Sequence, residues 1–254
     1  MCAQRVFGPV VRVNLLALPR PPRRVAGMCG RFILELHAGD LSSWLGASVD
    51  DPWEPHWNLA PAQDIPVARL HPLDGSLHVH LARWGLVPHN GKGPDIGPLL
   101  FNARRETVDV RPAFAPAYRR RRAAVPASAF AEWSKGPAGK VPWRIQRADG
   151  GPMLLAALWE RWGRPDGTSV LSTTILTQPA VGVVGSIHDR MPVIFSLPEA
   201  LAWMAAGAAP ERVSELRTAA ASPLVAAQLS GRFSSTENRD AAVALPVGPY
   251  VDRL

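Results

Sequence analysis

The stretch LHVHLAR, residues 77–83, places Leu77, Val79 and Leu81 alternately with His78 and His80. Such alternation puts the apolar side chains on one face and predicts a half-buried β-strand. Strand patterns recur along much of the chain, at residues 31–36, 65–70, 123–126, 143–147, 153–158 and 169–174. Because helices do not alternate regularly with these strands, the sequence favours a mixed α+β fold over a parallel α/β fold.

Helical signals are fewer than strand signals. Asp40 is placed to cap a short helix around Trp44. Ser196 and Glu199 form a capping-box pattern that opens a helix through about residue 206. Further helices are predicted at residues 104–110, 210–218 and 223–229, and a loop rich in Gly and Pro at residues 90–98. No repeat or linker divides the body of the chain, so we expect one folded domain at residues 28–254.

Residues 1–27 differ from the rest of the chain. They contain five arginines, four prolines and no acidic residue, and Arg12 interrupts the apolar stretch that a signal peptide would need. An organelle transit peptide fits this composition only in part. We expect a disordered leader that lies upstream of the true start. The body from residue 28 carries 23 basic and 21 acidic residues, a net charge of +2 against +7 for the whole chain.

The composition excludes several classes of protein. The 254 residues are 47% hydrophobic and 19% charged, which is enough apolar material for a core and too much for a wholly disordered chain. Two cysteines cannot build a disulfide scaffold, nor a zinc site by themselves. The sequence has no run of about 18 apolar residues, so we expect no membrane partner and a cytoplasmic protein.

The dipeptide Met28-Cys29 suggests a chemical role for Cys29. If Met28 is the first residue, methionine aminopeptidase would remove it, and Cys29 would carry a free α-amine beside its thiol. The amine titrates near about 8 and the thiol near about 8.5, so both are partly nucleophilic at neutral pH. Such a 1,2-aminothiol condenses with an aldehyde through an imine to a five-membered thiazolidine. An internal cysteine can form only a reversible hemithioacetal.

Three further segments carry side chains that suit this chemistry. Glu132 is a candidate acid and base for dehydration of the carbinolamine, and His188 is a candidate for proton transfer at the oxygen of a sugar. Asn102 could hydrogen-bond to the target and position it. Each residue alone is a weak signal, because helix caps, strand ends and solvated turns use the same side chains.

Seven motifs in order resemble the SRAP family (SOS response-associated peptidase), whose members crosslink to abasic sites in single-stranded DNA. The motifs cover residues 28 to about 206 and are MCGRF (28–32), WNLAP (57–61), WGLVP (84–88), NARRET (102–107), PASAFAEW (126–133), AALWE (156–160) and IHDRMP (187–192). The resemblance implies a single domain with a strand-rich, curved, mainly antiparallel and barrel-like core and flanking helices.

The resemblance also implies the chemistry of the site. Cys29 would form a thiazolidine with the ring-opened abasic sugar, while Asn102, Glu132 and His188 would line the site and assist ring opening, crosslinking and its reversal. Associated autopeptidase and AP-lyase activities are implied as well. No metal or other cofactor is expected. The protein is expected to act as a monomer that joins the nucleoid when bound to damaged DNA.

Three residues are implied to contact the DNA strand. Arg31 and Arg104 would bind phosphates that flank the lesion, because guanidinium groups suit phosphate oxygens. Trp84 would stack on a base or wedge the strand. Packing of Trp84 in the core is an equal alternative.

The chain departs from the family pattern at several positions. Asn90 stands where relatives usually carry Trp, and His56 and Trp57 replace an Arg-Tyr pair. Ala129 replaces a glycine, which would be a problem if that position required a positive φ. The similarity fades after about residue 206, and the customary C-terminal segment is hard to recognise in residues 233–254.

Three other interpretations of the sequence stay open. His78 and His80 could bind a metal with His71 or His89 as a third ligand, although a solvated strand face is the favoured explanation. Cys29 and His188 could form the nucleophile and base of a cysteine peptidase or amidohydrolase. The arginine run at residues 119–122 could belong to a non-enzymatic module that binds nucleic acid.

Overall fold

Mainly antiparallel β-strands form the framework of the structure, a computed structural model that describes residues 29–205 and 223–254. The strands within these residues are β1 (Phe32–Leu34), β2 (Ser48–Val49), β3 (His56–Leu59), β4 (Asp64–Leu70), β5 (Leu77–Trp84), β6 (Asn102–Arg104), β7 (Arg122–Ala127), β8 (Ala129–Gly136), β9 (Gly139–Arg147), β10 (Met153–Gly163), β11 (Ser169–Pro179), β12 (Arg190–Pro192), β13 (Ile194–Phe195) and β14 (Leu224–Gln228).

Short helices flank these strands. They are α1 (Ala38–Leu45), α2 (Ala115–Arg120), α3 (Gly182–Gly185) and α4 (Leu197–Met204), with 3-10 turns at Gly231–Ser234 and Ala241–Ala244. None of the helices in the described residues is long and apolar enough to cross a membrane.

Five strands close into a circuit. The strands β11, β10, β7, β4 and β5 are neighbours in that order, and β5 pairs in parallel with β11 at Ser172 with Arg83 and Thr173 with Trp84. The other pairings in the circuit are antiparallel. The α+β class and the barrel-like, mainly antiparallel core predicted from the sequence are therefore confirmed.

Strand β10 of the circuit is buried on both faces over most of its length. Successive side chains of a strand point to opposite faces, and β10 contributes alternate residues to two cores. One core contains Met153, Leu155 and Ala157. The other contains Leu154, Ala156 and Leu158 together with residues of α2 and α4. Because these helices cover the second face, the first core fills the inside of the circuit.

A second sheet, in the order β14-β9-β8-β1-β3, packs against the first core. Its strands β1 and β8 pair through Phe32 with Phe130 and Ile33 with Ala129. This pairing brings the MCGRF and PASAFAEW motifs, which are about 100 residues apart in the sequence, side by side.

Most strand predictions are confirmed, and three helix predictions need correction. Residues 104–110 form the end of β6 and a series of turns, and residues 224–228 form β14, which pairs with β9. Alanine and leucine fit a buried strand as well as a helix, so periodicity could not separate them. Asp40 lies in the first turn of α1 and accepts from the backbone N–H of the capping residue, His37. The helix predicted at residues 210–218 lies outside the described residues.

The replacement of glycine by Ala129 is compatible with the fold. Ala129 lies in β8 and is buried, and it is absent from the positive-φ residues of the described chain, which are Cys29, Ala62 and several glycines. An alanine therefore fits this position without backbone strain.

The role of Trp84 as a surface that stacks on a base requires correction. Trp84 is 0% exposed, and its ring packs edge-on against Phe32 at 5.3 Å and Phe101 at 6.1 Å between centroids. Its indole N–H donates to the Phe101 carbonyl at 2.9 Å. The core-packing alternative is the one that the structure supports, because a base cannot reach this ring.

We predict that Trp84→Ala lowers the free energy of unfolding by about 3–5 kcal/mol, since it leaves a large cavity at the closing seam of the circuit. Chemical denaturation followed by circular dichroism measures the change. Leu73→Ala is the control, because Leu73 is exposed and its loss should cost less than about 0.5 kcal/mol. Equal effects of the two substitutions would contradict the placement of Trp84 in the core.

Candidate active site

Cys29 and Glu132 form a buried pair at the start of β1. Glu132 lies in β8, and its neighbour Ala131 donates its backbone N–H to the Arg31 carbonyl at 3.0 Å. This pairing places the carboxylate beside the residue that precedes β1. The Cys29 N–H donates to Glu132 Oε1 at 2.6 Å, with Cys29 2% and Glu132 3% exposed. The two groups that the sequence assigned to aldehyde chemistry are therefore in direct contact.

Burial changes the protonation of Glu132. Desolvation raises the pKa of its carboxyl from 4.5 to about 8, and the nearby Asp189 carboxylate also raises it. Hydrogen bonds from Cys29 act in the opposite direction but do not cancel the effect of burial. A carboxyl group with a pKa near the operating pH can both give and take a proton, which is what a general acid and base requires.

The thiol of Cys29 is kept in its protonated form. Burial raises its pKa well above 9.0, and the charge of Glu132 and the hydrogen bond to that carboxyl raise it further. Because the thiolate is the nucleophilic form of cysteine, the thiol needs a neighbouring base when it reacts. Glu132 is placed to be that base.

Asn102 reaches the same site from a third strand, β6. It begins β6, which pairs in parallel with β11 at Ile175. Its side-chain amide donates to the Cys29 carbonyl at 3.2 Å. Asn102 therefore fixes the backbone of Cys29 as well as lining the site.

Arg104 projects from the same face of β6 as Asn102, because the two residues are two positions apart in a strand. Its side chain is exposed, and within residues 29–205 and 223–254 it has no hydrogen-bond or ion-pair partner. Its role as a phosphate ligand stays a prediction.

His188 approaches the site on a loop between α3 and β12. Its Nδ1 accepts from the backbone N–H of Arg190 at 3.1 Å, and Asp189 Oδ1 lies 3.0 Å from the same atom. In the described part of the chain, no hydrogen bond joins the His188 ring to Cys29 or Glu132. The adjacent Ile187 packs in the same core as Cys29, so the loop borders the site without completing a Cys–His pair.

An ion pair between Arg190 and Glu106 joins the IHDRMP and NARRET motifs, and the sequence did not reveal it. The Arg190 guanidinium donates to both oxygens of Glu106, at 2.6 and 2.9 Å, and to the Thr177 carbonyl at 2.8 Å. Arg190 follows His188, and Glu106 follows Asn102 within the NARRET motif. The bidentate contact therefore holds the His188 loop against the strand that carries Asn102.

Arg31 is partly buried and bound by groups of the protein itself, whereas the family resemblance implied that it binds phosphate. Its guanidinium donates to Asn58 Oδ1 at 2.7 Å and to the carbonyls of Phe233 and Ser234 at 3.0 and 3.1 Å. It also lies 5.7 Å from the centre of the Trp133 ring, and burial lowers its pKa to about 10. These contacts give Arg31 a structural role, and its role in DNA binding stays a prediction.

Asn58, for which sequence reasoning predicted no role, holds the same C-terminal segment as Arg31. Its buried amide donates to the carbonyls of Phe233, Ser235 and Asn238. The two hydrogens of this amide nitrogen are shared among the three carbonyls and tie the C-terminal segment to β3. The only sequence signal for this role is the asparagine of the WNLAP motif, because its partners are backbone carbonyls, which every residue carries.

The replacement of an arginine by His56 has a visible consequence. His56 Nδ1 accepts from the Asn58 backbone N–H at 3.1 Å. Burial and the nearby Arg239 lower its pKa to about 4, so the ring is neutral at physiological pH. The position therefore carries no charge in this chain.

The profile of the SOS response associated peptidase (SRAP) family matches residues 28–235. The chain belongs to the SRAP family. It is similar to the abasic site processing protein YoqW of Bacillus subtilis, with 34% identity over 70% of this chain and 80% of that protein. It is also similar to the abasic site processing protein YedK of Escherichia coli, with 31% identity over 77% of this chain and 88% of that protein. A crystal structure from Bacteroides thetaiotaomicron has the same fold, with 19% identity, a TM-score of 0.76 and coverage of 86% of this chain and 100% of that one.

The SRAP match extends beyond the point at which the motifs fade. It ends at residue 235, and the segment that Arg31 and Asn58 bind begins at Phe233. Phe233 and Ser235 of the anchored segment therefore lie within the part of the chain that the SRAP profile covers, and Asn238 lies just beyond it.

We predict that the raised pKa of Glu132 makes stability depend on pH. The folded protein retains a proton that the unfolded chain releases above its ordinary pKa of 4.5, so stability falls between about pH 4.5 and about pH 8. The loss is on the order of 1 kcal/mol for each pH unit. Glu132→Gln cannot ionise, so its stability should fall less over this range.

Denaturation of the wild type and of Glu132→Gln at pH 5 and pH 8 measures the effect. Other ionisable groups contribute equally to both proteins, so the difference between them isolates Glu132. Glu237→Gln serves as the control, because Glu237 is exposed and forms no ion pair in the described residues, so it should leave the pH dependence unchanged. A parallel pH dependence in the wild type and Glu132→Gln would refute the raised pKa.

Proposed function

We propose that Cys29, when it is the N-terminal residue, forms a covalent thiazolidine with the ring-opened sugar of an abasic site in single-stranded DNA. The observation that carries this proposal is the 2.6 Å contact between the Cys29 nitrogen and the buried carboxyl of Glu132. Membership of the SRAP family and similarity to proteins named for abasic site processing support the choice of substrate.

The order of the steps follows from the protonation states. The thiol is held in its neutral form, so the free amine attacks the aldehyde carbon first. Glu132, protonated at neutral pH, gives its proton to the hydroxyl of the carbinolamine, which leaves as water and yields an iminium ion. The sulfur then adds to the iminium carbon, and the thiol proton returns to the Glu132 carboxylate. The net change is the loss of one water and the formation of C–N and C–S bonds.

Backbone geometry supports a chain that begins at Cys29. A Cys29 joined to a preceding residue has φ of +26°, a conformation that residues other than glycine rarely adopt. An N-terminal residue has no φ, so removal of the preceding residues relieves this constraint. We propose that residues 1–27, which lie outside the described residues, and Met28 are absent from the reactive protein. Self-cleavage before Cys29 would account for an autopeptidase activity.

The burial of the site favours a single strand as substrate. Cys29 and Glu132 are almost inaccessible, so the sugar must leave its stacked position to reach them. A single strand pays less for this movement than a paired one. Arg104 would bind a neighbouring phosphate, and Asn102 would border the sugar. An iminium ion that the thiol does not capture is open to β-elimination, the route by which a lyase activity would arise.

A cysteine peptidase acting on other proteins fits the geometry less well. Such an enzyme needs a thiolate beside an imidazole. The Cys29 thiol has a raised pKa, and the His188 ring makes no hydrogen bond to Cys29 in the described residues. His188 is better suited to protonate the sugar oxygen at the edge of the site.

We predict that protein beginning at Cys29 forms an adduct with an abasic single-stranded oligonucleotide that survives a denaturing gel. The oligonucleotide is made by treating a uracil-containing strand with uracil glycosylase. The 254-residue chain with an intact leader should form no stable adduct, because its Cys29 nitrogen is an amide. Cys29→Ser in the shorter protein should also abolish the stable band.

N-terminal sequencing of each sample shows where its chain begins. A stable adduct from protein whose leader is proved intact would refute the aminothiol mechanism. Persistence of the adduct in Cys29→Ser would refute the nucleophile.

We predict that Arg104→Gln weakens DNA binding at least tenfold and lowers the slope of log affinity against log salt by about 1, as expected when one phosphate contact is lost. Non-covalent binding of a single strand with a stable abasic analogue is measured by anisotropy at several salt concentrations. Arg253→Gln is the control, because Arg253 is an exposed arginine near the C-terminus. An unchanged salt slope in Arg104→Gln would remove Arg104 from the proposed interface.

A further inference from the structure

A cluster of metal-ligating side chains lies at the end of β5 away from Trp84. Asp50, His78 and His80 each place one ligand atom within 4.8 Å of the others. His78 and His80 are two residues apart in a strand, so they share a face, and their rings stack with centroids 5.9 Å apart. Asp50 follows β2, which pairs in parallel with β5. The candidate ligands are thus fixed by neighbouring strands of one sheet.

The distances suit a shared cation. Asp50 Oδ2 lies 2.9 Å from His78 Nδ1 and 3.1 Å from His80 Nε2. Ligands of a tetrahedral zinc ion with bonds of about 2.0–2.1 Å are separated by about 3.3 Å. The carboxylate oxygen is therefore already close to both nitrogens at nearly the spacing that a zinc ion would impose. Small movements of exposed side chains would suffice, because all three are only partly buried.

A contact of the second ring nitrogen of His78 also suits a metal ligand. Ser76 Oγ lies 3.0 Å from His78 Nε2 and can accept its proton. If zinc bound at Nδ1, the ring would keep its proton on Nε2, where Ser76 Oγ is placed to accept it. Histidine ligands of zinc characteristically donate their other N–H in this way.

The positively charged side chain of Arg69 lies beside the same cluster. The Arg69 guanidinium lies 2.9 Å from His80 Nε2 and stacks on the Trp159 ring at 4.9 Å. It competes with a metal ion for the lone pair of His80 and repels positive charge. The backbone of β4 holds Arg69 opposite His78, so it is fixed near the cluster.

We propose that Asp50, His78 and His80 form a zinc site with one position open to water, and that Arg69 limits its affinity. Two imidazoles and one carboxylate with an open position are a ligand set that zinc accepts. Bound zinc would join the edge strand β2 to β5. The proposal is independent of the abasic-site chemistry, since the cluster shares no residue with the Cys29 site.

Isothermal titration of the full chain with zinc tests the proposal, and cobalt absorption reports the coordination. One ion should bind, and His78→Gln and His80→Gln should each lower its affinity at least tenfold. Arg69→Gln should raise the affinity at least tenfold, which a damaged fold could not produce. Zinc should raise the melting temperature of the wild type but not that of His80→Gln.

His37→Gln is the matched control, because His37 also contacts a carboxylate, Glu54, at 3.0 Å but has no second histidine beside it. Any zinc held by the two cysteines contributes equally to all these variants. Equal affinities in the wild type, His78→Gln and His80→Gln would overturn the proposal, as would the absence of zinc binding in both the wild type and Arg69→Gln. Because the readout is binding rather than crosslinking, neither result bears on the function of Cys29.

Discussion

The contact between the Cys29 nitrogen and the buried Glu132 carboxyl governs the rest of this site. A carboxyl group that is 3% exposed cannot be hydrated, and its raised pKa is the consequence. The hydrogen bonds from Cys29 partly compensate for the lost water. The direct pairing of β1 with β8 places the backbone of Glu132 next to the segment that carries Cys29. The same pairing therefore builds the sheet and sets the chemistry of the acid.

The surrounding contacts hold the segments of the site in register. Asn102 fixes the Cys29 carbonyl, and the ion pair between Arg190 and Glu106 fixes the loop that carries His188 against β6. Arg31 and Asn58 attach the C-terminal segment to the opposite side of β1. Each contact joins segments that are distant in the sequence, so the site forms only when both sheets are complete.

Sequence reasoning recovered the parts of the fold that periodicity controls. Strands such as β5 alternate clearly because one face carries polar side chains, whereas β14, rich in Leu, Val and Ala, gave a helical prediction because both patterns fit so short an apolar segment. Cys29, Asn102 and Glu132 were found together because ordered motifs link residue types to a chemistry. Trp84 and Arg31 show the limit of that approach. A motif names a residue, but only packing decides whether an indole or a guanidinium faces solvent or the interior.

The histidines of β5 show that residue spacing identifies part of a cluster but not all of its members. Their spacing predicted a shared strand face, but the third member of the cluster, Asp50, follows the parallel edge strand β2 and lies 28 residues before His78. Parallel pairing between such short segments leaves no periodic trace, so the carboxylate could not be assigned from the sequence.

Burial of the nucleophile also determines which electrophiles the site would select. A thiol whose pKa is raised well above 9.0 reacts slowly with alkylating agents and disulfides, because these require the thiolate. Under the proposed mechanism an aldehyde has another route, since the free amine of an N-terminal Cys29 would attack first and deliver the iminium carbon to the sulfur within the same residue. Once that bond exists, the reaction of the thiol is intramolecular and gains from proximity. The feature that makes Cys29 a poor general nucleophile thus favours aldehydes over other electrophiles. With a net charge of only +2 in the body of the chain, this covalent step would supply retention on DNA that overall electrostatics does not.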